Sequence, residues 1–482
     1  MKKNFKGLLI LGSAAPLLIS GLTACGKKYD PSTTIRMWTT FNSTYQAVIE
    51  KAIAVYEEQY PGYHVEYTKY SGSYSDISDA IAKGFAGGDY PDITAVYPDS
   101  IATFIMAGRS VDLTPYMEDE TNGWSAEDFA DIPEVYIEEG QNYFVEGTYS
   151  LPLSKSTEAM FYNRGRLIGL DLSLYDEEIN DGEPLDEEYI ENLTWEELFD
   201  HLCPAIVAYN NDASSSEKII DTSDSNWAVV GYDSDDNLFI TLAEQYGYAY
   251  TSLDQQSGIG SVDFVNDGMK SLMKTFNKAY TNHYVTTQGI YGKYCNYLST
   301  AGKMLFSIGS TGGISYQFSD TTKFDVGVAP IPQAAGKETK AISQGPSFSC
   351  LKYSDAQYAE SHAQQCWNFY KILTSTDICV EWATSTGYAP IRYSAAQSEA
   401  YLNYSNEERY ALNTLARMTA RNARYVPTMN DYLFTSPVFY GSDKARTAVK
   451  GLAADCIGNK GNGLIDDETL NTFFQNAYNN AI

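Results

Sequence analysis

Between residues 33 and 97 five successive segments alternate between strand-like and helix-like patterning, and this alternation restricts the fold more than any other feature of the chain. "TTIRMW" is a β-rich run ending at Trp38. In the following "STYQAVIEKAIAVYEEQY", Val48, Ala52, Val55 and Tyr56 fall on one helical stripe, which Pro61 and Gly62 end. Tyr63, Val65 and Tyr67 then alternate with His64, Glu66 and Thr68, the two-residue period of a half-buried strand. A second helical stretch from Asp76 to Phe85 breaks at Gly87 and Gly88, ahead of the apolar run "ITAVY". This β-α-β-α-β order predicts an α/β fold with a parallel open sheet and right-handed crossovers. Ligands on such sheets bind beyond the carboxyl ends of the strands, here near Trp38, at 70–74 and at 97–99. These ends are rich in aromatic and polar groups, which suit the apolar face and the hydroxyls of a sugar ring.

A length of 482 residues leaves room for two or three domains. The acidic block from Asp171 to Asn192 is poor in apolar residues and is expected to be a solvated insertion or loop. "TWEELFDHL" restarts a helix, with Thr194 as cap and Glu197 three residues on. Further helices are predicted over 361–373, 407–419 and 468–478, with short strands around 304–308 and 324–328.

The N-terminus reads as an export signal. Lys2, Lys3 and Lys6 precede an apolar stretch over 7–22, which is too short for a membrane span of ~20 residues. Leu22, Thr23, Ala24 and Cys25 resemble the bacterial lipobox. That resemblance implies cleavage of a 1–24 signal peptide, diacylglycerol on the Cys25 thiol and a polar tether over 25–32. Two acyl chains give stable anchoring where one is marginal. The formal charge of −29 makes nucleic acid and anionic lipid poor partners, so an anionic ligand needs a local basic pocket. The other six cysteines, at 203, 295, 350, 366, 379 and 456, show no metal-knuckle or redox spacing and read as buried free thiols.

Catalytic and metal signatures are weak. Asp233, Asp235, Asn237 and Glu244 stand at positions 1, 3, 5 and 12 of an EF-hand loop, but Leu238 occupies the glycine position and the segment continues as a helix. Acidic side chains near a helix N-terminus account for the same residues. Four histidines, at 64, 201, 283 and 362, form no helical zinc pair. "SIGSTGG" is one residue short of a nucleophile elbow, and neither a Walker sequence nor a dinucleotide-binding glycine fingerprint occurs. With 62 acids, no two carboxylates stand out as a glycosidase pair. No metal and no cofactor is expected.

Several stretches without chemistry of their own fall into one pattern. "YEEQYPGYHVEY", "GGDYPDITAVYPDSIATFIMAGRSVDLTPY", "YSLPLSKSTEAMFYNR", "LTWEEL", "GKMLFSIGSTGG", "DVGVAPIP" and "EWATSTGYAPIR" resemble, in this order, the family 1 extracellular solute-binding proteins, which include maltose-binding and glycerol-3-phosphate-binding members. The resemblance runs from Ile35 to Asn479. It implies a two-lobe periplasmic-binding-protein-like fold with discontinuous lobes, one of residues 33–150 plus 345–388 and the other of 151–344 plus 389–482. Hinge crossovers would lie at 148–154, 342–347 and 388–392.

The same resemblance implies a monomeric substrate-binding lipoprotein of an ABC importer. It would be anchored through Cys25 to the outer face of the bacterial cytoplasmic membrane, capture a carbohydrate between its lobes and deliver it unchanged to the permease subunits. Glycerol-3-phosphate or a glycerophosphodiester is the alternative cargo, and a surface-anchored glycoside hydrolase the alternative class. Ligand-binding candidates are Trp38, Tyr70, Tyr74, Asp99, Ser156, Thr157, Glu158, Ser310, Thr311, Gly345 and Tyr388. Arg392 and Arg424 are the candidate donors to a phosphate. The glycerol-3-phosphate branch often carries an acid where this chain has Pro98, with Asp99 beside it. Trp367 and Trp382 are expected to pack a helix pair.

Overall fold

A computed structural model describes residues 30–214, 216–317 and 324–482. The lipobox and Cys25 lie outside the described residues. Ten strands build two five-stranded sheets. In chain order they are β1 (Thr34–Thr39), β2 (His64–Lys69), β3 (Ile93–Val96), β4 (Leu151–Pro152), β5 (Glu158–Asn163), β6 (Val230–Tyr232), β7 (Val285–Thr287), β8 (Phe306–Ser310), β9 (Val326–Ala329) and β10 (Ser347–Cys350). The first sheet has the order β2-β1-β3-β10-β4, the second β9-β5-β8-β6-β7.

The predicted β-α-β-α-β unit is present: β1 runs parallel to β2 and β3, linked by α1 (Ser43–Gln59) and α2 (Tyr74–Gly84). Val48, Ile49, Ala52 and Tyr56 form the buried stripe of α1, and Ser73 caps α2 in a reciprocal box with Asp76. The sheet is not wholly parallel, however. β10 pairs antiparallel with β3 and β4, because the chain re-enters this half from the other one and so arrives in the opposite direction.

Two apolar cores sit on the two sheets. The first gathers Ile35, Met37, Ile93 and Phe348 with Trp367 and Trp382, the two tryptophans expected to pack helices. The second gathers Met160, Tyr232, Ile308 and Trp195 with Leu452 and Phe474 near the C-terminus. The acidic block at 171–192 departs from expectation: Leu172, Ile179, Leu185 and Ile190 are buried in the second core while the charges between them face solvent. Single apolar residues spaced by charges carry no period, so their anchoring was invisible to pattern reading. Near residue 407 only a short 3-10 turn forms, and the helix starts later, at Leu415–Tyr425. Thr414 caps its start. The six described cysteines are all buried and free.

The halves are joined by chain segments that lie side by side. Lys155 bridges to Ala389 and Ser156 to Gln344. Lys155 is fully buried among them, in an ion pair with Glu139 on α3 (Glu134–Gln141), and donates to Ser347 Oγ at 2.7 Å. Ile391 and Ala395, beyond residue 388, still pack in the first core. No helix among the described residues is long and apolar enough to cross a membrane.

Candidate functional site

Both sheets end at a single cleft of about 970 Å³. On the first-lobe side its lining comes from the carboxyl ends of the strands, as open α/β sheets dictate. Tyr74 opens α2, and Tyr97, Pro98 and Asp99 open the helix Pro98–Met106. Tyr74 and Tyr97 meet edge to face at 5.1 Å. Tyr388 follows Gly387, whose φ of 82° ends the helix Thr376–Thr386 in a left-handed cap. Tyr388 reaches across to the turn after β8: a Cβ on Gly312 would lie 2.9 Å from its ring, so only glycine lets the ring sit there.

The second-lobe wall sets carboxylates, amides and hydroxyls beside Tyr250, Tyr294, Tyr297 and Tyr316. Glu158, the first residue of β5, is 1% exposed and accepts from the Tyr232 hydroxyl and, at 3.1 Å, from Asn237 Nδ2. Burial pushes its carboxyl up to about 7, against the pull of those hydrogen bonds. Asp233, one residue past β6, accepts from the Cys295 N–H and is likewise pushed by burial up to about 6. For Asp236 burial also opposes ionisation, but the Arg446 charge with bonds from Ser234 and Arg446 outweighs it and holds this carboxyl below the usual range. Arg446 donates to Asp236 at 2.9 Å and to Asn237 Oδ1 at 2.7 Å.

A charged contact also spans the cleft. Asp99 Oδ1 accepts from Ser442 Oγ at 2.6 Å, and Arg446 Nε stands 3.7 Å from Asp99 Oδ2. Ser442 and Arg446 belong to the helix Ser442–Gly458, which packs in the second core. Asp99 belongs to the first lobe, so the pair clasps one lobe to the other.

Of the sequence candidates, Tyr74, Asp99, Glu158, Ser310, Gly345 and Tyr388 line the cleft. Gly345 does so for a packing reason as well: at φ 102° a Cβ would fall 1.9 Å from the Ser154 carbonyl oxygen. The remaining candidates do not line it. Trp38 stacks on Tyr70 at 6.1 Å with the Arg36 guanidinium 5.2 Å from the Trp38 ring centroid. Ser156, Thr157 and Thr311 lie just beneath the cleft as ties. Ser156 Oγ accepts from Ser310 Oγ at 3.3 Å, Thr157 Oγ1 donates to the Ile342 carbonyl at 2.9 Å, and Thr311 Oγ1 accepts from the Thr157 N–H at 3.2 Å.

Both arginine candidates are corrected by the fold. Arg392 turns into the first lobe, donating to the Thr374 carbonyl at 2.6 Å and to Asp131 and Asp128 at 3.1 and 3.3 Å. Arg424 is 62% exposed and pairs with Glu407 at 3.0 Å. The cleft arginine is Arg446, which stands in no motif the sequence offered. Asp236 and Asn237 were also missed as site residues. Their signal was the acidic stretch that resembles a calcium loop, which begins one residue past β6 and opens a helix at the cleft. Among the described residues no cluster of His, Cys, Asp and Glu is arranged to hold a metal.

Two α/β lobes meeting over a polar cleft, joined by adjacent chain segments, define a protein that holds a small solute between its halves. The sequence profile of the bacterial extracellular solute-binding proteins matches residues 51–407, and the chain belongs to that family, which acts outside the cytoplasm. UgpB from Mycobacterium tuberculosis, solved with glycerophosphocholine, is 15% identical with a TM-score of 0.65, covering 92% of this chain and 98% of its own. The cyclic α-maltosyl-1,6-maltose binding protein of Arthrobacter globiformis is 15% identical with a TM-score of 0.65, covering 93% and 99%. The GacH receptor of Streptomyces glaucescens, solved unliganded and with acarbose, is 14% identical with a TM-score of 0.62, covering 93% and 99%. At these identities the likeness is one of fold. No curated protein sequence matches the chain at a significant level.

Proposed function

We propose that the protein is the substrate-capturing subunit of an ABC importer and that its cargo is a carbohydrate, bound between the lobes and handed to the permease without reaction. The observation that carries this reading is the lining of the cleft: tyrosines from both lobes, Tyr74, Tyr97 and Tyr388 on one side and Tyr250, Tyr294, Tyr297 and Tyr316 on the other, stand among carboxylates, amides and hydroxyls. Aromatic faces cover the apolar side of a sugar ring, and acceptors take its hydroxyls. A volume of about 970 Å³ lies at the upper end of the ~300–1,000 Å³ common for small-molecule sites, which suits an oligosaccharide. The proteins of like fold were solved with or named for maltose-type sugars, acarbose and glycerophosphocholine. The charge balance of the lining weighs against the phosphate alternative, since six carboxylates face only Arg446, which already serves Asp99 and Asp236, and Lys450.

In this reading the lobes are 33–150 with 345–388 and 151–344 with 389–482, although the packing of Ile391 and Ala395 favours a slightly later third boundary. Residues 1–24 are removed, Cys25 carries the lipid and the tether sets a monomer on the outer face of the membrane. Intact-mass measurement of the native protein tests the anchor, and loss of the lipid mass in Cys25→Ser is expected. Calorimetric titration with malto-, cello- and manno-oligosaccharides, glycerol-3-phosphate and glycerophosphocholine tests the cargo. A sugar is expected to bind and to remain intact on long incubation. Binding of the phosphates alone, or sugar cleavage, would overturn the reading.

A further inference from the structure

Two of the six buried thiols face each other in the first core. Cys350 ends β10, and Cys366 lies midway along the helix Ala359–Leu373 that backs this strand. Alternate residues of a strand share a face, as do residues four apart on a helix. Phe348 therefore points the same way as Cys350, and Tyr370 the same way as Cys366. The rings of Phe348 and Tyr370 meet with centroids 4.7 Å apart. Two residues onward along the strand cover ~6.6 Å and four residues back along the helix ~6 Å, so an antiparallel step from that ring pair sets Cys350 against Cys366.

A second contact fixes the direction of that step. Cys366 Sγ lies 4.0 Å from the Asp92 carbonyl oxygen, which accepts the N–H of Leu351, the residue after Cys350, at 2.7 Å. The Cys350 thiol is accordingly a hydrogen-bond partner of Cys366; burial first and this contact next hold the Cys366 thiol well above its usual range. Cys295 and Cys379 differ, giving their Sγ–H groups to the carbonyls of Tyr232 and Thr374 at 3.6 and 3.3 Å. The structure holds Cys350 and Cys366 as thiols, yet the family acts outside the cytoplasm, where disulfides persist.

We propose that Cys350 and Cys366 are joined by a disulfide in the exported protein, a staple between β10 and the helix behind it. The oxidant is a disulfide of the extracytoplasmic space, borne by a small thiol or by a thiol oxidoreductase. One cysteine thiolate attacks a sulfur of that disulfide and displaces a thiolate, which leaves a mixed disulfide. The other cysteine then attacks the protein sulfur and expels the remaining oxidant sulfur. Two S–H bonds and the oxidant's S–S bond break, the Cys350–Cys366 bond forms, and two electrons and two protons leave on the oxidant as its two thiols. Both sulfurs are fully buried once the lobe is folded, so the exchange belongs to folding, before the first core closes over them. The bond closes residues 350–366 into a ring and so restricts the unfolded chain. It also fixes the strand by which the chain re-enters the first lobe, two residues after Gly345 in the cleft lining.

The test takes protein from the outer face of its own cells and unfolds it directly into N-ethylmaleimide without reductant. Trypsin cuts after Lys340, Lys352 and Lys371, which puts the two cysteines on separate peptides, 341–352 and 353–371. The two are expected to travel as one species that reductant splits. Reductant is also expected to lower the thermal midpoint of the wild type by about 5 °C or more, and to leave that of Cys350→Ala or Cys366→Ala unmoved. Separate peptides, each capped by maleimide, overturn the proposal, as does either cysteine joined to a different one; this readout needs no variant to fold. Linked peptides with a midpoint that reduction does not move overturn the stapling role and leave the bond standing.

Discussion

Asp99→Ala tests the idea that the lobes are held together partly by their own clasp. The substitution removes the 2.6 Å bond from Ser442 and the 3.7 Å approach of Arg446. A hydrogen bond to a charged group contributes ~1.5–3 kcal/mol. Here the Asp99 and Arg446 side chains are 24% and 34% exposed, so solvent screening puts the value at the low end, about 1.5 kcal/mol. Arg446 keeps Asp236 and Asn237, so no buried charge is stranded. The whole loss therefore falls on the closed arrangement, and ~1.4 kcal/mol is tenfold in its population relative to the open one. Because cargo binds where both lobes reach it, apparent affinity drops with the closed fraction, by up to about tenfold. Calorimetry with the bound sugar measures this, and solution scattering should give the empty variant a larger radius of gyration than wild type. Ser442→Ala removes the same bond from the other side and should shift both readouts the same way, which separates the clasp from any direct contact between Asp99 and cargo. If both variants scatter like wild type and bind within twofold of it, the clasp does not govern closure.

Lys155→Met leaves Glu139 buried without its partner and is expected to cost ~3–5 kcal/mol in urea unfolding, with Lys155→Met/Glu139→Leu regaining most of it; a single variant within 1 kcal/mol of wild type refutes this. His362 has an acceptor at each ring nitrogen, Asp92 at 2.8 Å and the Pro31 carbonyl at 2.5 Å, an arrangement that favours the imidazolium. Burial opposes that charge, but the Asp92 and Pro31 bonds prevail and raise its pKa above 6.5. Its contribution to stability is therefore complete below 6.5 and lost as pH rises through the higher folded value, a decline in urea midpoint that should be absent in His362→Gln. Gly312→Ala puts a methyl 2.9 Å from the Tyr388 ring and should weaken sugar binding about tenfold, read by calorimetry, while the unfolding midpoint moves by less than about 1 kcal/mol equivalent.

What the sequence revealed was local. The stripe of α1 and the alternation of β2 are written within a few residues, and with them came the strand ends that carry Tyr74 and Asp99 to the cleft. The ordered motifs led to Glu158, Ser310, Gly345 and Tyr388 because these lie at strand ends or at passages between the lobes. Arg446 escaped because its place depends on a helix near the C-terminus docking against residues more than two hundred positions earlier, which no local pattern records. Arg392 and Arg424 failed for the complementary reason. Each stands close in sequence to the cleft segments, yet the nearest carboxylates, Asp128 and Asp131 for one and Glu407 for the other, turn the guanidinium elsewhere.

The clasp and the carboxylate wall act in opposite directions on the empty protein. Asp99, Ser442 and Arg446 draw the lobes together whether or not cargo is present, whereas closure removes water from Glu158 and Asp233, whose charges then have no counter-ion among the described residues. Closing on nothing thus gains the clasp, with the seating of Tyr388 on Gly312 and of Val438 beside Tyr143, and forfeits the hydration of these acids. Cargo that donates into the wall cancels only the second term, so it is rewarded in the closed arrangement and not in the open one, where those acids keep their water. A differential of that kind is the sole means by which a ligand shifts a conformational equilibrium. It follows that replacing both acids by their amides should make the empty protein close more readily while binding cargo less selectively, a pairing of outcomes that a wall acting only as a contact surface would not produce.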